Sequence, residues 1–135
     1  MKNYLKLLFL FMIFSGILIN AQALHQIAAG DSTLAAAIKD AAPGDVIELT
    51  TDGGLYTNPN QIVISKDLTI FASDQLANKP VIMYTGSNTG AYMFKVDTTA
   101  NLLFKGLDFA GDGTNSGGAA RAKYIFRIDT EDTTT

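Results

Sequence analysis

The chain has 135 residues and a mass of 14.4 kDa, which fits one domain and excludes a multi-domain enzyme within this length. Hydrophobic residues make up 47%, enough for a core and too many for a disordered chain, while 13 acids against 10 bases give a formal charge of −3 and no basic block, a poor composition for binding nucleic acid. Cysteine is absent, which removes disulfides, cysteine-based zinc sites and thiol nucleophiles, and the single histidine leaves any Ser-His-Asp site dependent on His25.

Residues 1–23 read as a secretory signal. Lys2 and Lys6 form the positive start, Leu7–Ile19 is uncharged and apolar, and Ala21-Gln22-Ala23 places small residues at −3 and −1 of a cut after Ala23. A cut after Ala21, with Ile19 at −3, is the alternative. A membrane anchor is the competing assignment, but Leu7–Ile19 falls short of the roughly 20 residues that span a bilayer. No stable membrane span is therefore expected after signal removal, and the mature chain is expected in the periplasm, at the cell surface or outside the cell.

The chain then predicts one short helix. Asp31 or Ser32 can cap a start at Thr33, and Leu34, Ala37, Ile38 and Ala41 fall on one apolar stripe up to Ala42. Pro43-Gly44 stops it. At about ten residues the helix is too short to stand alone, so its stripe must lie on something. His25, just before it and with no second ligand nearby, reads as an exposed tail residue rather than a metal ligand.

Short strands follow, separated by Gly, Asn, Asp, Thr and Pro. They are Val46–Leu49, Gln61–Ser65, Asp67–Phe71, Pro80–Tyr84 with Val81 and Met83 on one face, Tyr92–Asp97, Asn101–Lys105 with Leu107 and Phe109 after it, and Tyr124–Asp129. Tyr92–Thr98 matches Tyr124–Thr130 almost residue for residue at an offset of 32, and the same offset back from Phe94 and Val96 reaches Ile62 and Ile64. A second series, at offset 34, maps Asp67–Ile70 onto Asn101–Phe104 and Asp74 onto Asp108. Repeats of this length holding several short strands predict a β-solenoid, with Ile62, Phe94 and Phe126 laddered on one wall and Leu68 and Leu102 on the next. A β-sandwich with two chance-similar strands is the alternative.

In this order the residues resemble the N-terminal part of pectate lyase-like right-handed parallel β-helix proteins, nearest the chondroitinase B and alginate lyase group of polysaccharide lyases. The resemblance runs from Ser32 to about Gly113. It rests on Thr33-Leu34 to Ala41, Pro43-Gly44-Asp45-Val46-Ile47-Glu48-Leu49, Gly54-Leu55-Tyr56, Gln61-Ile62-Val63-Ile64, Asp67-Leu68-Thr69-Ile70, Lys79-Pro80-Val81-Ile82 and Asn101 to Phe109. It implies an all-β parallel β-helix of about three coils, with the short helix covering its N-terminal end. The family's lyases abstract a sugar proton with basic residues and neutralise the uronate with calcium, on middle coils beyond this chain. No catalytic residue is carried over. The chain breaks off at Thr135 partway through a coil and so reads as the N-terminal piece of a longer protein.

Four outward positions are candidates for chemistry. Lys95 and Arg127 stack on adjacent coils and are the candidate substrate-binding pair for an anionic sugar; the simpler role is pairing with neighbouring acids. Asp97 and Asp129 stack likewise and are the candidate metal residues. Calcium needs six or more oxygens, and an Asp followed by Thr more simply makes a local turn bond. Gly111–Gly118 is glycine-rich without the Gly-Lys-Ser/Thr ending of a phosphate loop, and reads as a long loop leaving the coil. The function expected is an N-terminal fragment of a secreted β-helix that binds or cleaves acidic polysaccharide. The alternatives are a non-catalytic adhesin or structural spacer, or a capping domain that only starts a larger coil. No cofactor is evident, and calcium is possible in the full-length parent.

Overall fold

The short, β-branched segments leave one another at turn residues every few positions, so each strand finds its partner in the next coil rather than beside it in sequence. The computed structural model describes residues 21–86, 92–110, 112–115, 118–121 and 124–129. In chain order the elements are β1 Leu24–Ile27, β2 Gly30–Asp31, α1 Thr33–Asp40, β3 Val46–Leu49, β4 Leu55–Asn58, β5 Ile62–Ile64, β6 Leu68–Ala72, β7 Val81–Tyr84, β8 Tyr92–Asp97, β9 Leu102–Lys105, β10 Asp108–Ala110, β11 Asp112–Asn115, β12 Gly118–Arg121 and β13 Tyr124–Asp129.

These strands build three parallel sheets. Sheet A runs β1-β3-β6-β9, sheet B runs β2-β4-β7-β10 and sheet C runs β5-β8-β13. Each coil after the first therefore visits A, B and C in turn, and the molecule is a right-handed parallel β-helix. The expected walls form in register: Ile62 opposes Phe94 and Phe94 opposes Phe126, while Leu68 opposes Leu102. The Phe94 and Phe126 rings stack with centroids 5.4 Å apart and planes 17° from parallel. Phe104 from sheet A and Phe109 from sheet B close on the same pair, so all three sheets contribute a ring to the axis.

In the first coil α1 stands between β2 and β3, at the place where later coils carry a sheet C strand. Its stripe of Leu34, Ala37, Ile38 and Ala41 is buried, and the helix packs on β1, β2 and β4. Burying a Leu or Ile side chain is worth about 1.5–3 kcal/mol, which is how so short a helix persists. The ammonium of Lys66 donates to the carbonyls of Lys39 and Ala41, a cation on the open carbonyl end of the helix.

Five sequence expectations need correction. The helix ends at Asp40, because Gly44, at φ 90°, and Pro43 already turn the chain. Neither Asp31 nor Ser32 caps it with a side chain: Ser32 sits in the left-handed region at φ 58°, and Asp31 instead accepts from the Thr57 hydroxyl across the coil. In β7 the inward residues are Ile82 and Tyr84, whereas Val81 and Met83 are half-buried. Asp108 lies opposite Val81, not Asp74, since sheet B repeats at a different spacing from sheet A. The glycine-rich segment contains the antiparallel hairpin β11–β12, with residues 111, 116 and 117 outside the described part.

Candidate functional site

Coil-on-coil stacking turns any outward position into a row along the axis, with roughly 4.8 Å between neighbours. On sheet C one such row is Val63, Lys95 and Arg127, and two residues on lies the row of Asp97 and Asp129. The backbone thus brings the two candidate cations into adjacent register positions, and the two candidate acids likewise. Lys95 and Asp97 are half-buried and Arg127 is exposed, with its guanidinium 5.3 Å from the centre of the Tyr92 ring. That is a cation–π distance, and it holds the planar fork near the sheet surface. The side chain of Asp129 lies outside the described residues.

Asp97 and Asp129 do not by themselves fit calcium. The ion takes six to eight oxygens, and among the described residues no group of three or more His, Asp or Glu side chains comes together to hold a metal. No chemical step is therefore drawn through a metal.

A second feature was not foreseen. An open groove of about 480 Å³ crosses the coils where each chain turn enters sheet A. Its walls include Gln22, Gly44, Asp67, Thr69, Asn101 and Leu103. Asp67 Oδ1 accepts from the Asn101 backbone N–H at 2.6 Å and from its side-chain amide at 3.0 Å. Asp52 does the same for Asn78 one corner away, at 2.6 and 3.0 Å, and these bonds hold its carboxyl below the ordinary range. The offset-34 alignment of Asp67 with Asn101 carried the signal for this corner, but only as a repeat and not as a bonded pair.

His25 is not a tail residue. It lies in β1, in register with Ile47 and hence on the inward side of sheet A. Its Nε2 is 2.8 Å from Asp45 Oδ2. Asp45 is buried, and its other partners are the backbone N–H groups of Ala42 at 2.8 Å and Ala23 at 2.9 Å. The hydrogen bonds from His25, Ala23 and Ala42 outweigh desolvation and lower the carboxyl pKa to about 2. The arrangement joins the first strand to the turn after α1. It is a structural knot that ties His25 Nε2 to the Asp45 carboxylate.

No family model and no curated protein matches this sequence. Among solved structures, the chain is similar to a PL6 family alginate lyase, AlyGC, at 23% identity and a TM-score of 0.55. The similarity covers 83% of this chain and 16% of that one. It is a likeness of fold, that of a parallel β-helix. No helix among the described residues is long and apolar enough to cross a membrane.

Proposed function

We propose that this chain forms the N-terminal cap and first coils of a secreted β-helix domain that binds acidic polysaccharide. One observation carries the reading: Lys95 and Arg127 occupy neighbouring positions of a single outward row on sheet C. A polymer with regularly spaced carboxylates meets regularly spaced cations along such a row, and guanidinium suits a carboxylate geometrically. The likeness to an alginate lyase supports the same substrate class. Cleavage is assigned to no residue here.

The test is affinity electrophoresis of the purified chain through gels containing alginate, chondroitin sulfate or neutral dextran. Retardation by the anionic polymers alone is expected, weakening with salt. Two partly exposed cations contribute about 0.2–1 kcal/mol each, so the double variant Lys95→Ala/Arg127→Ala should lose roughly two- to thirty-fold in affinity. Equal retardation of wild type and double variant would remove the sheet C row from the binding surface. Equal mobility in all three gels would favour the other reading, a non-catalytic surface spacer.

A further inference from the structure

Residues Gln22 and Ala23 belong to the folded body. The Ala23 N–H donates to Asp45 Oδ1 at 2.9 Å, and the Ala23 carbonyl accepts from the Val46 N–H at 2.9 Å. Together they extend the β1–β3 ladder one residue before Leu24, whose own partner is Val46. Gln22 lines the corner groove beside Gly44 and Asp67. A cut after Ala23 would delete both Ala23 bonds and leave the Val46 N–H without its acceptor. A cut after Ala21 keeps them, and it satisfies the small-residue requirement at −1 with the aliphatic Ile19 at −3.

That cut makes Gln22 the first residue, with an exposed side chain. An N-terminal glutamine carries its own electrophile and nucleophile. The α-amino nitrogen attacks the side-chain carbonyl carbon Cδ. A new N–Cδ bond closes a five-membered lactam, the Cδ–Nε2 bond breaks, and the amide nitrogen leaves as ammonia, taking up the proton the amine releases. No oxidant, reductant or second substrate enters. We infer that the signal is removed between Ala21 and Gln22, and that Gln22 is then a modification site that cyclises to pyroglutamate.

The modification has a structural use. It removes the amine that aminopeptidases require. Trimming two residues from this end would strip Ala23 from Asp45, the carboxylate that also holds His25 and Ala42. Chain ends are where proteolysis concentrates unless they are tied down. Here the tie is made by the second residue of the mature chain, so blocking the first protects it.

The inference rests on the export proposed above, and the experiment separates the two. The full precursor is expressed in a Gram-negative host, and the periplasmic protein is analysed by intact mass, by tandem sequencing of the N-terminal peptide and by Edman degradation. A peptide starting at position 22, lighter by one ammonia and refractory to Edman chemistry, is the expected result. The variant Gln22→Ser should be cut at the same bond, keep its full mass and read through Edman cycles from the serine. Incubation with a broad aminopeptidase should shorten that variant past Ala23 and lower its melting temperature, while leaving the wild type intact. A mature chain starting at Leu24 overturns the cut. A chain starting at Gln22 with a persistent free amine overturns the cyclisation. Protein that retains Met1 in the cytoplasm overturns the export reading itself.

Discussion

At the first coil the chain is closed by directional polar bonds. Asp45 gathers Ala23, His25 and Ala42, Lys66 caps the carbonyls of α1, and the helix lays Leu34 and Ile38 over the end of the core. At the last described coil the packing is aromatic. Phe94, Phe104, Phe109 and Phe126 meet ring against ring at 5.2–6.2 Å, yet Phe126 is 40% exposed and Ile128 68%. The difference separates the capped start of the solenoid from its stacked coils. A terminus needs specific donors and acceptors because strand edges and helix ends carry unpaired backbone groups. An interior coil needs only apolar side chains that repeat in register.

The strongest way to break the capped end is to charge its helix. Ile38 is 2% exposed on the face of α1 turned to the core. Ile38→Asp loses the burial of that side chain and leaves an unpaired carboxylate, and an uncompensated buried charge alone costs about 3–5 kcal/mol. Precipitation on expression, or loss of a cooperative urea transition, is expected. A soluble variant with an unchanged midpoint would mean that α1 is not the cap.

The aromatic stack can be probed by a pair of truncations. Phe94 is fully buried between coils, so Phe94→Ala should destabilise by about 3–5 kcal/mol. Phe126→Ala removes a ring that is already partly in water and should cost about 1 kcal/mol. Urea midpoints of the two variants test this order. Equal losses would mean that Phe126 is covered in solution.

How much of this was legible follows from the same contrast. The repeating coils announced themselves, because in-register stacking requires like residues at like positions: Tyr92–Asp97 and Tyr124–Asp129 are paired as the offset of 32 implied. The first coil did not, since a coil that occurs once has no repeat to reveal it. β1 and the commitment of His25 to Asp45 therefore stayed hidden behind the signal. Alternation cannot choose the inward face of β7, because Val81-Ile82-Met83-Tyr84 is apolar at every position. Asp108 falls opposite Val81 rather than Asp74 because turns of unequal length give each sheet its own period. As for the candidate site, sequence alone paired Lys95 with Arg127, but the corner groove needs turns from four successive stretches of chain and no local motif records it.

The polar knot predicts an acid limb. Asp45 has a folded pKa of about 2 against 3.8 for the free side chain. A lowered pKa means that the carboxylate contributes stability above about pH 4, and that this contribution is lost as pH falls through 3.8 towards 2. Asp45→Asn should therefore be less stable than wild type at pH 7, and the gap should narrow as pH falls from 3.8 towards 2. Thermal midpoints of both proteins from pH 7 to pH 2 check it. A gap independent of pH would assign the loss to shape rather than charge.

The smallest effect is expected between the ends, at the corner where Asp67 bridges to Asn101. This carboxylate makes two hydrogen bonds through Oδ1, as Asp45 makes one through Oδ1 and two through Oδ2, but it is exposed and water can replace its partners. Its net worth is then that of an ordinary hydrogen bond, so Asp67→Ala should cost about 1 kcal/mol. Asp67→Asn keeps an acceptor at the Oδ1 position and should recover most of the loss. Because the bridge ties the turn before β6 to the turn before β9, its removal should also raise amide exchange at Asn101 without changing exchange at Ala23 or Ala42. Hydrogen exchange read residue by residue decides the matter. Faster exchange confined to the corner would show that inter-coil bonds act locally in the middle of the solenoid. Faster exchange reaching Ala23 would show instead that corner and cap open as one unit, and the contrast between the two regions would fail.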